Sequence, residues 1–310
     1  NLFSTPLLLT FNQQEEQEYT LQVNKTAQDI SVYLSSLDLA LINQVSPLFI
    51  SSPDTRELLA SLNASGQVSD IYFKKSPDNI QALASFNNTS TEYSQGIPGI
   101  DNLSGRLSFN HNNLHLSVNA EQGHLDFKQH FVAPIAYQSL QAVADLSIAD
   151  HGWQLQVNDI ALTSSELNLQ ADLSLESAKD TPISMALLAN VTNGDASKAG
   201  HYYPLTIMSD NLANYLNTAL TAGNITQAQV LINGPLAEFP FSNNSGIFVV
   251  DAEVEAAVFE FSDEWPAIKN FNANLNFTNN SMFRVRLTDS LDNDMLSVSI
   301  NISNNIVSAF

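Results

Sequence analysis

The chain has 310 residues, 44% of them hydrophobic, which is enough for one large domain or two ordinary ones with a filled core. Charge is sparse and lopsided, 11 basic against 32 acidic residues for a net −21, which argues against nucleic-acid partners and against electrostatic docking on an anionic membrane surface. The absence of cysteine removes disulfides, zinc thiolates and cysteine nucleophiles, and no apolar run approaches the roughly 18 residues that a membrane span requires.

The chain opens on Asn1-Leu2-Phe3, without Met or a basic leader, and reads as a soluble piece of a longer protein. The first break in a β-rich pattern is Ser52-Pro53-Asp54, which predicts a helix over 53–62. Ser52 can cap it, Pro53 suits the first helical position, and Asp54 and Glu57 complement the positive end of the dipole. Beyond it the dominant period is two: Leu114-His115-Leu116-Ser117-Val118, then Leu167 through Leu175, then Leu296 through Ile302. Such segments are half-buried strands with one apolar and one wet face. Glu253 and Glu255 fit the wet face of a strand whose other face carries Val250, Ala252 and Val254. Asn- and Gly-rich clusters at His111-Asn112-Asn113, Asp150-His151-Gly152, Asn243 to Gly246 and Thr278-Asn279-Asn280 read as hairpin turns. A second helix is predicted near 210–222, opened by Ser209. It carries Leu212, Tyr215, Leu216, Ala219 and Leu220 on one face, with Gly223 placed to cap it. The plan is mainly β: a long antiparallel meander with two short helices.

The chain also repeats itself. Residues 85–117 laid on 253–285, an offset of 168, give eight identities, among them Glu92/Glu260, Pro98/Pro266, Asn102/Asn270, Leu107/Leu275 and Phe109/Phe277. Each predicted helix lies upstream of its copy, and a weaker middle unit runs from Leu140 to Val157. Self-similarity at a fixed offset marks a modular array that buries a shared face. The division expected is 1–200, with the helix near 53–62, and 201–310, with the helix near 210–222.

Chemistry is thin on the ground. There is no P-loop, dinucleotide fingerprint or nucleophile elbow. His111 and His115 are four apart, a spacing that converges two imidazoles on a helix but not on a strand or turn. Asp289, Asp292 and Asp294 lack the Gly and the closing Glu of a calcium loop. Neither a metal nor a cofactor is expected. Aromatic residues crowd the last third (Phe239, Phe241, Phe248, Phe259, Phe261, Trp265, Phe271 and Phe277) and suit either a β core or the lining of an open apolar groove.

Taken in order, Gly66-Gln67-Val68-Ser69-Asp70, Ile97-Pro98-Gly99-Ile100-Asp101-Asn102, Tyr202-Tyr203-Pro204, Gly234-Pro235-Leu236, Phe239-Pro240-Phe241, Gly246-Ile247-Phe248 and Trp265-Pro266-Ala267-Ile268 resemble the YhdP family of the AsmA-like superfamily. Tyr203 departs from the pattern, where Leu is expected. The resemblance implies an internal periplasmic fragment of a large protein that is anchored in the Gram-negative inner membrane by parts outside this chain. It implies an elongated, curved β-sheet whose hydrophobic concave face carries phospholipid between inner and outer membranes, in repeated β-groove units. Phospholipid acyl chains are then the expected partner and no catalytic residue is expected. Alternation with polar residues puts Leu107, Phe109, Phe259, Phe261, Leu275 and Phe277 on the groove side. The rival readings are a scaffold that engages envelope proteins through sheet edges or helices, and a carbohydrate-active enzyme, which would need converging carboxylates that no cluster here demands.

Overall fold

The computed structural model describes residues 2–9, 17–41, 52–206, 208, 210–260, 267–279 and 281–288. Phe261, Trp265-Pro266, Ser209, the acidic cluster Asp289, Asp292 and Asp294, and the strand expected at Leu296–Ile302 lie outside the described residues. The fold is mainly β and antiparallel, as its period-two segments require. Contacts divide the chain into two compact units, Asn1–Asp126 with Ser139–Asp150, and Phe127–Gln138 with His151–Phe310.

In the first unit β1 (Leu2–Leu9), β2 (Gln17–Lys25), β3 (Ile30–Asp38), β4 (Ser65–Ser76), β5 (Asn79–Thr91), β6 (Gly99–Asn110) and β7 (Asn113–Asp126) are neighbours in chain order. The later part of β8 (Ile135–Ala149) follows β7, where the Ile148 N–H donates to the Asn112 carbonyl at 3.0 Å. In the second unit β9 (Gly152–Thr163), β10 (Asn168–Ala178), β11 (Ser184–Asp195), β12 (Leu220–Pro235), β13 (Ile247–Phe259), β14 (Ile268–Thr278) and β15 (Ser281–Thr288) again run in order. Most connections are hairpins or short crossings; those from β3 to β4 and from β11 to β12 are longer and carry the helices.

Helix α1 (Pro53–Ser61) forms where the sequence predicts it. The Thr55 N–H donates to Ser52 Oγ at 3.3 Å, and Pro53 starts the first turn. None of its residues is fully buried. It is held at its end instead: Ser61 Oγ meets Ser94 Oγ at 2.6 Å, and the Glu92 N–H donates to the Leu62 carbonyl at 2.7 Å. Helix α2 (Asp210–Ala219) is shorter than predicted. The chain turns directly into β12 at Leu220, and Gly223 is a strand residue at φ 141° rather than a cap. The helix end is closed from another element, because the Glu260 N–H donates to the Ala219 carbonyl at 2.8 Å. Glu92 and Glu260 are repeat partners, so both copies tie a helix end to the end of a strand in the same way.

A feature that plain alternation hides crosses the strands. Asp70 (φ 50°), Asn88 (φ 47°), Asn102 (φ 55°) and Gln122 (φ 53°) place one left-handed residue in each of β4, β5, β6 and β7. Asp159 (φ 53°), Asn193 (φ 53°), Ala256 (φ 50°) and Asn270 (φ 55°) do so in β9, β11, β13 and β14. Register shifts fall beside them, at Ser69/Tyr72, Phe86/Thr89, Ile100/Leu103 and Val254/Ala257. These are β-bulges, and an extra residue reverses the phase of the pleat. In β7 the apolar side therefore reads Leu114, Leu116, Val118 and Ala120, then skips to Leu125. Polar side chains satisfy the displaced backbone. The Asn88 N–H donates to Ser104 Oγ at 3.1 Å, Asn102 Nδ2 donates to the Gln122 carbonyl at 2.8 Å, and the Ala256 N–H donates to Asn272 Oδ1 at 3.2 Å. Asn88/Ala256 and Asn102/Asn270 are each 168 apart, so the repeat extends to the bulges themselves.

Candidate functional site

Cross-strand register assembles one apolar face in each unit. In the first, Val23, Val32, Phe73, Ala82, Phe109 and Leu114 are successive partners across β2 to β7. A parallel row holds Leu21, Leu34 and Ile71, and then Ala84, Leu107 and Leu116. In the second unit three rows can be followed: Val157, Leu173, Leu187, Ile232 and Phe248; Ile160, Ala171, Ala189, Val230, Val250 and Phe277; and Leu162, Leu169, Val191, Ala228, Ala252 and Leu275.

These faces are not closed like an ordinary core. Among the described residues no second sheet lies over them, and ten of the seventeen buried apolar residues are alanine. The larger side chains in the rows are mostly half-buried, shielded by lateral neighbours on the pleat rather than by an opposing layer. Cover is local. The 3₁₀ turn Ala196–Tyr202 sets Ala196 on Val254 and Ala257, with Leu220, Ile225, Phe271 and Leu275 packed around them.

The second unit has one further piece of cover. The connection from β12 to β13 folds back and brings Phe241 to full burial, the only large side chain so enclosed among the described residues. Gly234 and Gly246 leave the space for its ring; a Cβ at either would lie within 2.9 Å of it. Phe239 packs edge-on against Phe241 at 5.7 Å and tilted against Phe248 at 4.9 Å. Asn279 fastens this wedge twice, donating from Nδ2 to the Phe241 carbonyl at 3.2 Å and accepting the Phe248 N–H on Oδ1 at 2.9 Å. Asn243 Nδ2 donates to Glu238 Oε2 at 2.7 Å, and this bond, with one from Ser245, holds the Glu238 carboxyl below its ordinary range.

The predicted residues fall as follows. Leu107 and Phe109 are half-buried on the first apolar face, and Leu275 and Phe277 on the second. Phe259 pairs with Leu220 and Ile268 and follows Ala257 on the same side of the pleat. Phe261 lies outside the described residues. The sequence reading left the Phe239–Phe241 segment undecided between core and lining; the signal for a wedge was Gly on both flanks of an aromatic pair. Alternation also could not locate the bulges, so it did not show which residues past each one stay on the apolar side.

The opposite faces are wet. His115 Nδ1 meets Asp145 Oδ1 at 2.7 Å, and His124 Nδ1 meets Asp101 Oδ2 at 3.4 Å. His111 is a left-handed turn residue, so it and His115 do not converge. Among the described residues no group of three or more His, Asp or Glu gathers to hold a metal, and no helix is long and apolar enough to cross a membrane. Beside the 3₁₀ turn, burial pushes the Tyr203 hydroxyl up to about 12 and raises that of Tyr202 as well.

The sequence profile of the YhdP protein family matches residues 2–305. The intermembrane phospholipid transporter YhdP of Escherichia coli (strain K12) is 26% identical to this chain over 273 residues, 86% of this chain and 22% of that protein. The chain thus spans about a fifth of the length of that relative. No solved structure matches it significantly. The profile match runs through nearly the whole sequence, and the chain belongs to the YhdP family.

Proposed function

We propose that this chain is a periplasmic segment of an inner-membrane-anchored protein that carries phospholipid between the inner and outer membranes, with acyl chains held on the apolar strand faces. The observation that carries this reading is a set of apolar rows that continue from strand to strand without an opposing layer. Such a face is unfavourable in water, and acyl chains relieve it at about 0.8 kcal/mol per buried methylene. Each of the sequence units 1–200 and 201–310 supplies a length of this face, to which Leu107, Phe109, Phe259, Phe261, Leu275 and Phe277 contribute. The role is non-catalytic: the side chains of the apolar rows are hydrocarbon, and the His115–Asp145 and His124–Asp101 pairs sit on the wet side. Membrane attachment belongs to parts of the protein outside this chain.

Native mass spectrometry of the 310-residue chain, purified without harsh detergent, tests the proposal. Co-purified phospholipid is the expected result. Reproducible absence of lipid, together with capture of a defined envelope protein, would favour the scaffold reading instead.

A further inference from the structure

The hairpin rim of the first apolar face carries Lys25, Lys74 and Lys75 at its strand ends and Asp29 and Asp78 in its turns. Beyond the row that contains Val23, Val32 and Phe73, the next positions in register are Lys25, Ile30, Lys75 and Ile80. Lys25 is two residues from Val23, and Lys75 two from Phe73, so both lysines sit on the apolar side of the pleat. They flank Ile30 from either side, two strands apart, about 10 Å between backbones. The neighbouring Lys74 points to the wet side and meets Asp29 at 3.6 Å. Lys75 has no carboxylate at ion-pair distance among the described residues, in a chain where acids outnumber bases 32 to 11. An exposed cation left unmatched beside apolar residues, amid such an excess of acid, suits a negative group that arrives with an apolar body.

The repeat provides an internal comparison. At the offset of 168, Lys75, Ile80 and His111 become Asn243, Phe248 and Asn279. In that copy the rim is occupied by the Phe239–Phe241 wedge and its Asn279 fastening, and no cation takes part.

We infer that Lys25 and Lys75 form a headgroup subsite of the first unit, which binds the phosphodiester of a phospholipid whose acyl chains lie on the rows of Val23, Val32 and Phe73. The inference rests on the lipid reading above. Lysine serves here as a point charge for phosphate on a flexible stem that itself lies against apolar surface.

The test uses the 310-residue chain in mild detergent, equilibrated with dioleoyl-phosphatidylglycerol or with dioleoylglycerol, which has the same chains but no phosphate. Bound lipid is read by native mass spectrometry. The Lys25→Gln/Lys75→Gln variant is expected to lower phosphatidylglycerol retention about fivefold, the size of two solvent-exposed charge contacts, and to leave dioleoylglycerol retention unchanged. Lys25→Arg/Lys75→Arg is expected to keep it, as is Lys179→Gln, which removes an exposed turn lysine of the second unit. Equal retention of both lipids by wild type and by the Gln variant overturns the subsite and leaves lipid carriage standing. Retention of neither lipid overturns both. If excess inorganic phosphate occupies the lysines and displaces no lipid, the pair is a free-phosphate site and the headgroup assignment fails.

Discussion

Phe241 lies directly over Gly234, so a Cβ at residue 234 would sit 2.9 Å from the Phe241 ring. Glycine at one position and phenylalanine at the other are a single structural decision, made at the hairpin end of the second apolar face. Gly234→Ala must displace the ring or bend β12, and overpacking of this kind costs about 1–3 kcal/mol. Phe241→Ala leaves a cavity instead and costs about 3–5 kcal/mol. Urea unfolding followed by circular dichroism measures both. A loss well under 1 kcal/mol for Phe241→Ala would mean that the wedge does not hold the connection in place.

Ala256 is the one left-handed residue among the strand bulges of the second unit that lacks an Asn or Asp side chain. An L-residue in that conformation costs roughly 1–2 kcal/mol, whereas Gly carries an entropic cost of roughly 0.5–1 kcal/mol. Ala256→Gly is therefore expected to stabilise the chain by about 0.5 kcal/mol. Ala252→Gly, four residues earlier in ordinary strand geometry and buried, is expected to destabilise it by at least that much. Opposite signs in paired urea titrations are the prediction, and equal signs would contradict the bulge at Ala256.

Leu187 and Leu188 are adjacent and face opposite ways. Leu187 pairs with Leu173 and Ile232 in an apolar row, while Leu188 is 41% exposed on the other side. Leu187→Gln is expected to lower phospholipid retention by about tenfold, since it sets an amide among hydrocarbon contacts. Leu188→Gln should leave both retention and stability within about 0.5 kcal/mol of wild type. Native mass spectrometry of the two purified variants decides it, and equal loss from both would remove the distinction between the faces.

Burial raises the Tyr203 hydroxyl from its ordinary 10.0 to about 12, which means that the folded chain holds this proton more tightly than the unfolded chain does. The stabilisation is therefore complete below about pH 10 and is lost as pH rises from there through 12. Its upper limit is about 3 kcal/mol, from two pKa units at about 1.4 kcal/mol each. Tyr203→Phe should flatten the fall in stability between pH 9 and pH 11.5 relative to wild type, measured as urea midpoints along that series. An unchanged slope would place the titration elsewhere.

Much of the fold was legible because its signals are local. Ser52-Pro53-Asp54 carries its own cap, Asn-rich turns mark the hairpins, and Leu-x-Leu segments state their own periodicity. The repeat was legible because it recurs without a gap. What sequence could not show was how tertiary contact overrides a local signal. Gly223 looks like a helix cap, yet Glu260 reaches the Ala219 carbonyl first and the chain is released into β12. Asn87-Asn88 and Asn102 look like polar strand residues, and only their cross-strand partners identify the latter residue of the pair and Asn102 as bulges. Lys25 and Lys75 lie 50 residues apart, and only the pairing of each with Ile30 brings them to one rim.

The line of bulges has a consequence for how such a chain finds its structure. A meander of similar strands, each with a Leu-x-Leu stretch, offers many pairings that differ by a two-residue slip and keep every side chain on its proper face. Left-handed residues break that degeneracy. A slip by two would carry Asn102 away from the Gln122 carbonyl and Asn88 away from Ser104, and would leave backbone donors and acceptors without partners on both strands. Each bulge thus acts as a detent, so that one register in a long and monotonous sheet is distinguishable from its near-copies.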